Sequence, residues 1–105
     1  MLPLADRRFT LALSRKRNRP QMHYSVGYHM NENLYILQIV IHSVARYYQI
    51  SREEYDMFDT NVDRLDKLAV TCHRAGRNSQ RFLCSTKQDE NTIAQLKLLQ
   101  DIMDA

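Results

Sequence analysis

Residues 31–50 read NENLYILQIVIHSVARYYQI and contain the longest apolar run of the chain, residues 34–41, interrupted only at Gln38. Apolar side chains recur at alternating intervals of three and four, at Leu34, Leu37, Ile41, Val44 and Tyr48. This spacing is typical of one face of an α-helix. It predicts a helix over residues 31–49, about 28 Å long at ~1.5 Å per residue. A second apolar stripe runs beside the first, so we expect this helix to be covered on two sides and to be the central element.

The segment that follows favours a long second helix. Beyond Met30 the chain has no proline and a single glycine, Gly76, so little interrupts a helical backbone. Ser51 and Glu54 have the spacing of a capping box, which predicts that a helix begins there. The apolar seam continues at the same intervals, and we expect the helix to pass Gly76 and reach about Cys84. A helix that breaks at Gly76 is the alternative. The seam residues of its first half are Tyr55, Phe58, Val62 and Leu65.

A third helix is predicted after Ser85, which has Gln88 three residues further on as part of a second cap. The short link between the first two helices makes them antiparallel. The predicted fold is therefore all-α: a three-helix antiparallel bundle over residues 30–105 with one long central helical hairpin. The apolar residues of the third helix that we expect to face inward are Ile93, Leu96, Leu99, Ile102 and Met103.

The first 29 residues form a basic arm that differs from the rest of the chain. Residues 1–20 carry six basic side chains against Asp6, a local charge of +5, whereas the whole chain has a net charge of +3. Apolar residues alternate in residues 7–14 and 22–28, which favours a β-hairpin joined by residues 15–21. A disordered arm is the alternative. An arginine-rich, acid-poor start is also typical of an organellar presequence.

The charges and the apolar seams together predict self-association. The predicted second helix is acidic in its first half and basic in its second half. This order complements the helix dipole, and it also allows two copies to pair antiparallel with acid against base. Three apolar-rich helices carry more hydrophobic surface than one small bundle can bury. We therefore expect a homodimer that is held by the seams and oriented by the charges.

Nine basic side chains are candidates for contact with an acidic partner or a nucleic acid, because clustered cations bind polyanions. Six lie in the arm, and three share one face of the predicted second helix. They are Arg7, Arg8, Arg15, Lys16, Arg17, Arg19, Arg74, Arg77 and Arg81.

Catalytic, metal and cofactor motifs are not recognisable in the sequence. Arginines from several helices line the pocket of some small helical enzymes, and Arg46, Arg64 and Arg74 are available for this, but no motif supports it. No apolar run approaches the ~20 residues needed to cross a bilayer. Two cysteines without an apolar signal peptide favour the cytoplasm. The conceivable metal ligands, which match no zinc-binding spacing, are His42, Cys72, His73 and Cys84.

The sequence thus predicts a small helical regulatory or adaptor protein that acts through protein–protein interaction as a homodimer. The alternative is a nucleic-acid-binding regulator that uses the basic arm and the arginine stripe of the second helix. We expect no enzymatic activity, no cofactor and no small-molecule substrate.

Overall fold

The computed structural model describes residues 13–30 and 32–104, and within them the chain forms a five-stranded antiparallel sheet and three α-helices. The prediction of an all-α bundle with a coiled-coil seam was wrong. Neighbouring strands in the sheet are also neighbours along the chain: β1 (Ser14–Arg19), β2 (Tyr24–His29), β3 (Leu34–Ile41), β4 (Val44–Ile50) and β5 (Phe82–Ser85). The helices are α1 (Arg52–Thr60) and α2 (Val62–Ala75), which precede β5, and α3 (Ile93–Asp104), which follows it. No helix among these residues is long and apolar enough to cross a membrane.

Residues 34–50, most of which were predicted to lie in the central helix over residues 31–49, instead form the β3–β4 hairpin in the interior of the sheet. Leu37 lies opposite Tyr48 in this hairpin. His42 and Ser43 form its two-residue turn, both with a left-handed backbone at φ of 52° and 65°. Two positive φ angles are characteristic of the tight turns that join antiparallel strands, where asparagine and glycine are the usual residues. Since neither occurs here, the sequence gives no sign of a turn in the middle of the predicted helix.

Both faces of the sheet are covered, which explains the apolar pattern of β3. A strand buried on both faces is apolar at successive positions, so its period of two is hidden. One face packs against α1 and α2, and the buried residues there are Tyr24, Val26, Leu37, Ile39, Tyr48, Ile50, Leu65, Ala69 and Cys72. The other face packs against α3, and the buried residues there are Leu13, Ile36, Ala45, Tyr47, Cys84, Leu99 and Ile102.

The seam predicted for the first two helices is divided by this arrangement. Leu34 lies on the side of α3, whereas Leu37, Ile41 and Tyr48 lie on the side of α1 and α2. The stripes predicted for the first two helices are therefore largely covered within a single chain, whereas Ile93 and Leu96 of the third stripe are exposed. This weakens the reason for self-association, and the homodimer stays a prediction.

The predicted helix start at Ser51 is confirmed. The Ser51 hydroxyl oxygen accepts a hydrogen bond from the Glu54 amide at 3.0 Å, and the Glu54 carboxylate accepts one from the Ser51 amide at 2.8 Å. The continuous helix predicted from this point is wrong. Asn61 separates α1 from α2, and α2 ends where Gly76 adopts a φ of 55°. The last residues assigned to that helix form β5.

The third helix begins later than predicted, because Ser85 is the last residue of β5. Its cap is formed by Thr92 and Gln95, whose side chains each accept a hydrogen bond from the other residue's amide at 3.2 and 2.8 Å. Of the residues that we expected to face inward, Leu99 is buried, whereas Ile93 at the first turn is 88% exposed.

The described part of the predicted arm, residues 13–29, contributes the β1–β2 hairpin at one edge of the sheet. Residues 15–21, predicted as a connection, mostly belong to β1. Two bidentate ion pairs fasten this strand to the helices. The Arg17 guanidinium binds Asp59 at 2.7 and 2.9 Å, and the Arg19 guanidinium binds Asp66 at 2.8 and 3.0 Å. Acidic residues that we expected to face a second copy are thus paired within the chain.

Candidate anion-binding cleft

The basic residues predicted to bind a partner are not gathered on one surface. Arg7 and Arg8 lie outside the described residues. The Arg15 guanidinium lies over the ring of Tyr28, 5.3 Å from its centre, and partial burial lowers the pKa of Lys16. The guanidinium groups of Arg17, Arg19 and Arg81 are held in bidentate ion pairs with Asp59, Asp66 and Glu54.

The other two candidates, Arg74 and Arg77, line a cleft of about 560 Å³ together with Arg46, His73 and Glu90. We call this site the basic cleft. Four parts of the chain form it: β4, the end of α2 with the turn that follows, the start of β5, and the segment leading into α3 with its first turn. Its volume is in the range of ligand pockets. The remaining lining is polar apart from one aromatic ring: Asn78, Phe82, Asn91, Thr92 and Gln95, with Gly76.

Gly76 allows the end of α2 to approach Arg46 closely. Its backbone has φ 55° and ψ −129°, a combination that side chains with a Cβ rarely adopt. A Cβ at this position would lie 3.3 Å from Nη1 of Arg46. The glycine therefore ends α2 and also leaves room for the guanidinium beneath the turn. The residue that we expected to sit inside a continuous helix is instead part of the wall of the cleft.

A partly buried ion pair joins two walls of the cleft. Nε and Nη2 of Arg46 donate to the Glu90 carboxylate at 3.0 and 2.7 Å. These hydrogen bonds are the main reason that the pKa of Glu90 is lowered to about 2. They also raise the pKa of Arg46. Glu90 is the one carboxylate among the described residues that line the cleft, and its charge is balanced by Arg46.

The segment that carries Glu90 is held in place by its neighbour. The side-chain amide of Asn91 donates to the Ser85 carbonyl at 2.8 Å, and its oxygen accepts from the Ser85 amide at 2.7 Å. This pair of bonds ties the segment to the end of β5. The position of Glu90, and through it that of Arg46, is consequently fixed before any ligand arrives.

The charge that remains in the cleft is positive. Arg74 and Arg77 are exposed and form no ion pair with any residue that the structure describes. A guanidinium offers several N–H donors in a plane and matches the oxygens of a phosphate or carboxylate. The arrangement suits the binding of an anion.

Part of this site was predicted from the sequence. Arg74 and Arg77 were candidates, and of the three arginines considered for an enzyme pocket, Arg46 and Arg74 line the cleft but Arg64 does not. Glu90 was missed, because it lies in a segment assigned to a helix and nothing in its local sequence marks it as the partner of Arg46. The pairing joins residues 44 positions apart along the chain.

The four conceivable metal ligands are not brought together as one set, although His42 and His73 line the same small pocket. Cys72 is buried in the core beneath α1 and α2, and Cys84 in the core beneath α3, so the sheet separates the two thiols. Burial raises the pKa of Cys84 to about 12, which disfavours the thiolate that a metal requires. In the part of the chain that the structure describes, no group of three histidine, cysteine or acidic side chains could hold a metal ion.

The basic cleft is thus a concave site at which the described residues leave two arginines without an acidic partner. No protein-family model, no curated protein and no solved structure matches this chain.

Proposed function

We propose that this protein binds nucleic acid in the basic cleft. The observation that carries the proposal is the charge of the cleft: Arg74 and Arg77 project into it without a counter-ion, and its carboxylate, Glu90, is neutralised by Arg46. Clustered arginines that lack an acidic partner provide the electrostatic part of nucleic-acid binding. The nucleic-acid alternative is therefore retained, with the contact moved from the basic arm to the cleft.

The arm is a poorer candidate because two of its three described arginines are already bound to carboxylates. Arg17 and Arg19 bind Asp59 and Asp66, and a phosphate would have to displace these carboxylates. Arg81 is likewise held by Glu54. No such competition opposes a phosphate at Arg74 and Arg77.

The other lining residues favour nucleic acid over an acidic protein segment. Phe82 offers part of an aromatic ring to the cleft, and Asn78 offers an amide that both donates and accepts hydrogen bonds. Aromatic rings stack on bases, and side-chain amides pair with base edges. An acidic protein segment has neither a flat base for the ring nor a base edge for the amide. Free cysteines buried in the fold agree with a place of action in the cytoplasm.

The test is binding of a fluorescent oligonucleotide of about 12 residues, measured by anisotropy at several salt concentrations from about 50 mM upward. We expect binding that weakens as salt rises. The double variant Arg74→Ala/Arg77→Ala should reduce affinity about tenfold or more. With a single-stranded probe, it should also make the slope of log K against log salt shallower by about 1.4, because two phosphate contacts are lost.

The matched control is Arg64→Ala/Lys67→Ala, which removes the same charge from the exposed surface of the same helix, outside the cleft. Its effect should be no more than about twofold. Absence of oligonucleotide binding at the lowest salt would refute the proposal. If polyglutamate binds through Arg74 and Arg77 and oligonucleotides do not, the cleft serves an acidic protein partner, as the adaptor hypothesis requires.

A further inference from the structure

An apolar pocket of about 240 Å³ adjoins the basic cleft on the side of the β1–β2 turn. Its apolar lining comes from that turn, from β3 and from α2, at Met22, Ile39, Ile41, Ala69 and Val70, and two histidines, His23 and His73, complete it. Val70 is 39% exposed, although it is a large aliphatic residue. Concave apolar surface that remains in contact with water is typical of a binding site for an apolar group.

The apolar pocket and the basic cleft meet at His73 and Arg74, which line both. Val70 and Arg74 are one helical turn apart on α2, so their side chains share a face and lie about 6 Å apart along the helix axis. Arg77 lies beyond the end of the helix and lines the basic cleft but not the apolar pocket. One ligand can therefore contact apolar surface and unpaired guanidinium groups side by side.

A ligand that matches this juxtaposition carries a phosphate close to a flat group with little polarity on its faces. Single-stranded nucleic acid has this chemistry, because its bases leave the stack readily and bury their faces against aromatic, histidine and apolar side chains. In a duplex the bases are stacked and paired, and they do not enter a pocket unless they are extruded at a cost in energy.

We infer that the cleft and the pocket together select single-stranded nucleic acid, with a phosphate at Arg74 and Arg77 and an unstacked base in the apolar pocket beside Val70. This inference rests on the nucleic-acid binding proposed above. The arginines supply affinity for any strand, and the apolar pocket supplies the preference for strands whose bases are free.

The experiment compares three probes of about 12 nucleotides by fluorescence anisotropy: a single strand, the same sequence as a duplex, and an abasic single strand that keeps the phosphates. The wild-type protein should bind the single strand about tenfold more tightly than either of the other two. The variant Val70→Gln should lose this preference, because only its affinity for the intact single strand should fall. The salt dependence of binding should stay unchanged.

Ile93→Gln is the matched control, because it replaces an exposed β-branched side chain that lies outside the apolar pocket. It should leave all three affinities unchanged. Duplex binding equal to or tighter than single-strand binding would overturn the inference and leave the proposed function standing. Binding of none of the probes would overturn both.

Vesicles containing phosphatidic acid provide the last comparison. Binding to these vesicles that depends on Val70, without binding to any oligonucleotide, would assign the site to an anionic lipid instead.

Discussion

Arg46 and Glu90 link the stability of the cleft to pH. Glu90 has a pKa lowered to about 2 by the guanidinium, from an ordinary value of 4.5. A carboxyl whose pKa is lower in the folded state stabilises the fold above its ordinary pKa, and this contribution is lost as pH falls toward the folded value. Part of the acid sensitivity of this protein should therefore come from one ion pair.

We predict that Glu90→Gln lowers the free energy of unfolding by about 2 kcal/mol at neutral pH, because a partly buried guanidinium loses its charged partner. The variant should also lose less stability than the wild type between about pH 5 and pH 2. Urea denaturation followed by circular dichroism at several pH values measures both effects. Asp89→Asn removes an exposed neighbouring charge and should change stability by less than about 0.5 kcal/mol. If the free energy of unfolding of Glu90→Gln and of the wild type changed in parallel with pH, this account would be contradicted.

Among the elements, the β3–β4 turn lacks the residues that usually favour its backbone conformation. His42 and Ser43 both adopt positive φ, which costs residues with a Cβ about 1–2 kcal/mol each. Glycine adopts this conformation without strain but loses more backbone entropy on folding. The core residues on both faces of its strands hold the hairpin in place, and the turn residues adopt positive φ because the strands require it.

We predict that Ser43→Gly stabilises the protein by about 0.5–1 kcal/mol, because the relief of backbone strain exceeds the entropic cost of glycine. Ser43→Ala is the control, since it removes the same hydroxyl but keeps the Cβ, and it should give no gain. Thermal unfolding of both variants and the wild type measures the difference in stability. Equal stability of the glycine and alanine variants would show that the turn is not strained.

At the scale of the whole molecule, the charges predicted to orient a dimer are used inside one chain. Three bidentate pairs join acids of α1 and α2 to basic residues elsewhere in the same chain: Arg17–Asp59, Arg19–Asp66 and Arg81–Glu54. The apolar stripes are likewise buried between the sheet and its helices. Little of what favoured self-association in the sequence is left on the surface.

We therefore expect size-exclusion chromatography with light scattering to give the mass of one chain, 12.5 kDa, at micromolar concentrations. The physical reason is that a stable interface between copies needs a large apolar patch, and few large hydrophobic side chains among the described residues are exposed: Met30, Val70, Ile93 and Leu96. A mass of about twice this value would restore the homodimer and require an interface that uses other surfaces.

Features that depend on neighbours along the chain could be predicted from the sequence. The capping box at Ser51 and Glu54 fixes where α1 begins, because each side chain bonds to the other residue's backbone three positions away. Alternation over residues 22–28 indicated a strand close to the observed β2. The arginines at the end of α2 were recognised as candidates because helical spacing places them on one side.

The hairpin over residues 34–50 and the basic cleft depend on contacts between distant parts of the chain, and neither could be predicted from local sequence. The same apolar residues satisfy a helical spacing and a strand buried on both faces, so the choice depends on what covers them. Strand pairing also supplies hydrogen bonds between residues that are distant in sequence, which local patterns do not show. The cleft has the same origin, because Arg46, Arg74 and Glu90 come together only after β4, α2 and the segment before α3 have packed on one sheet.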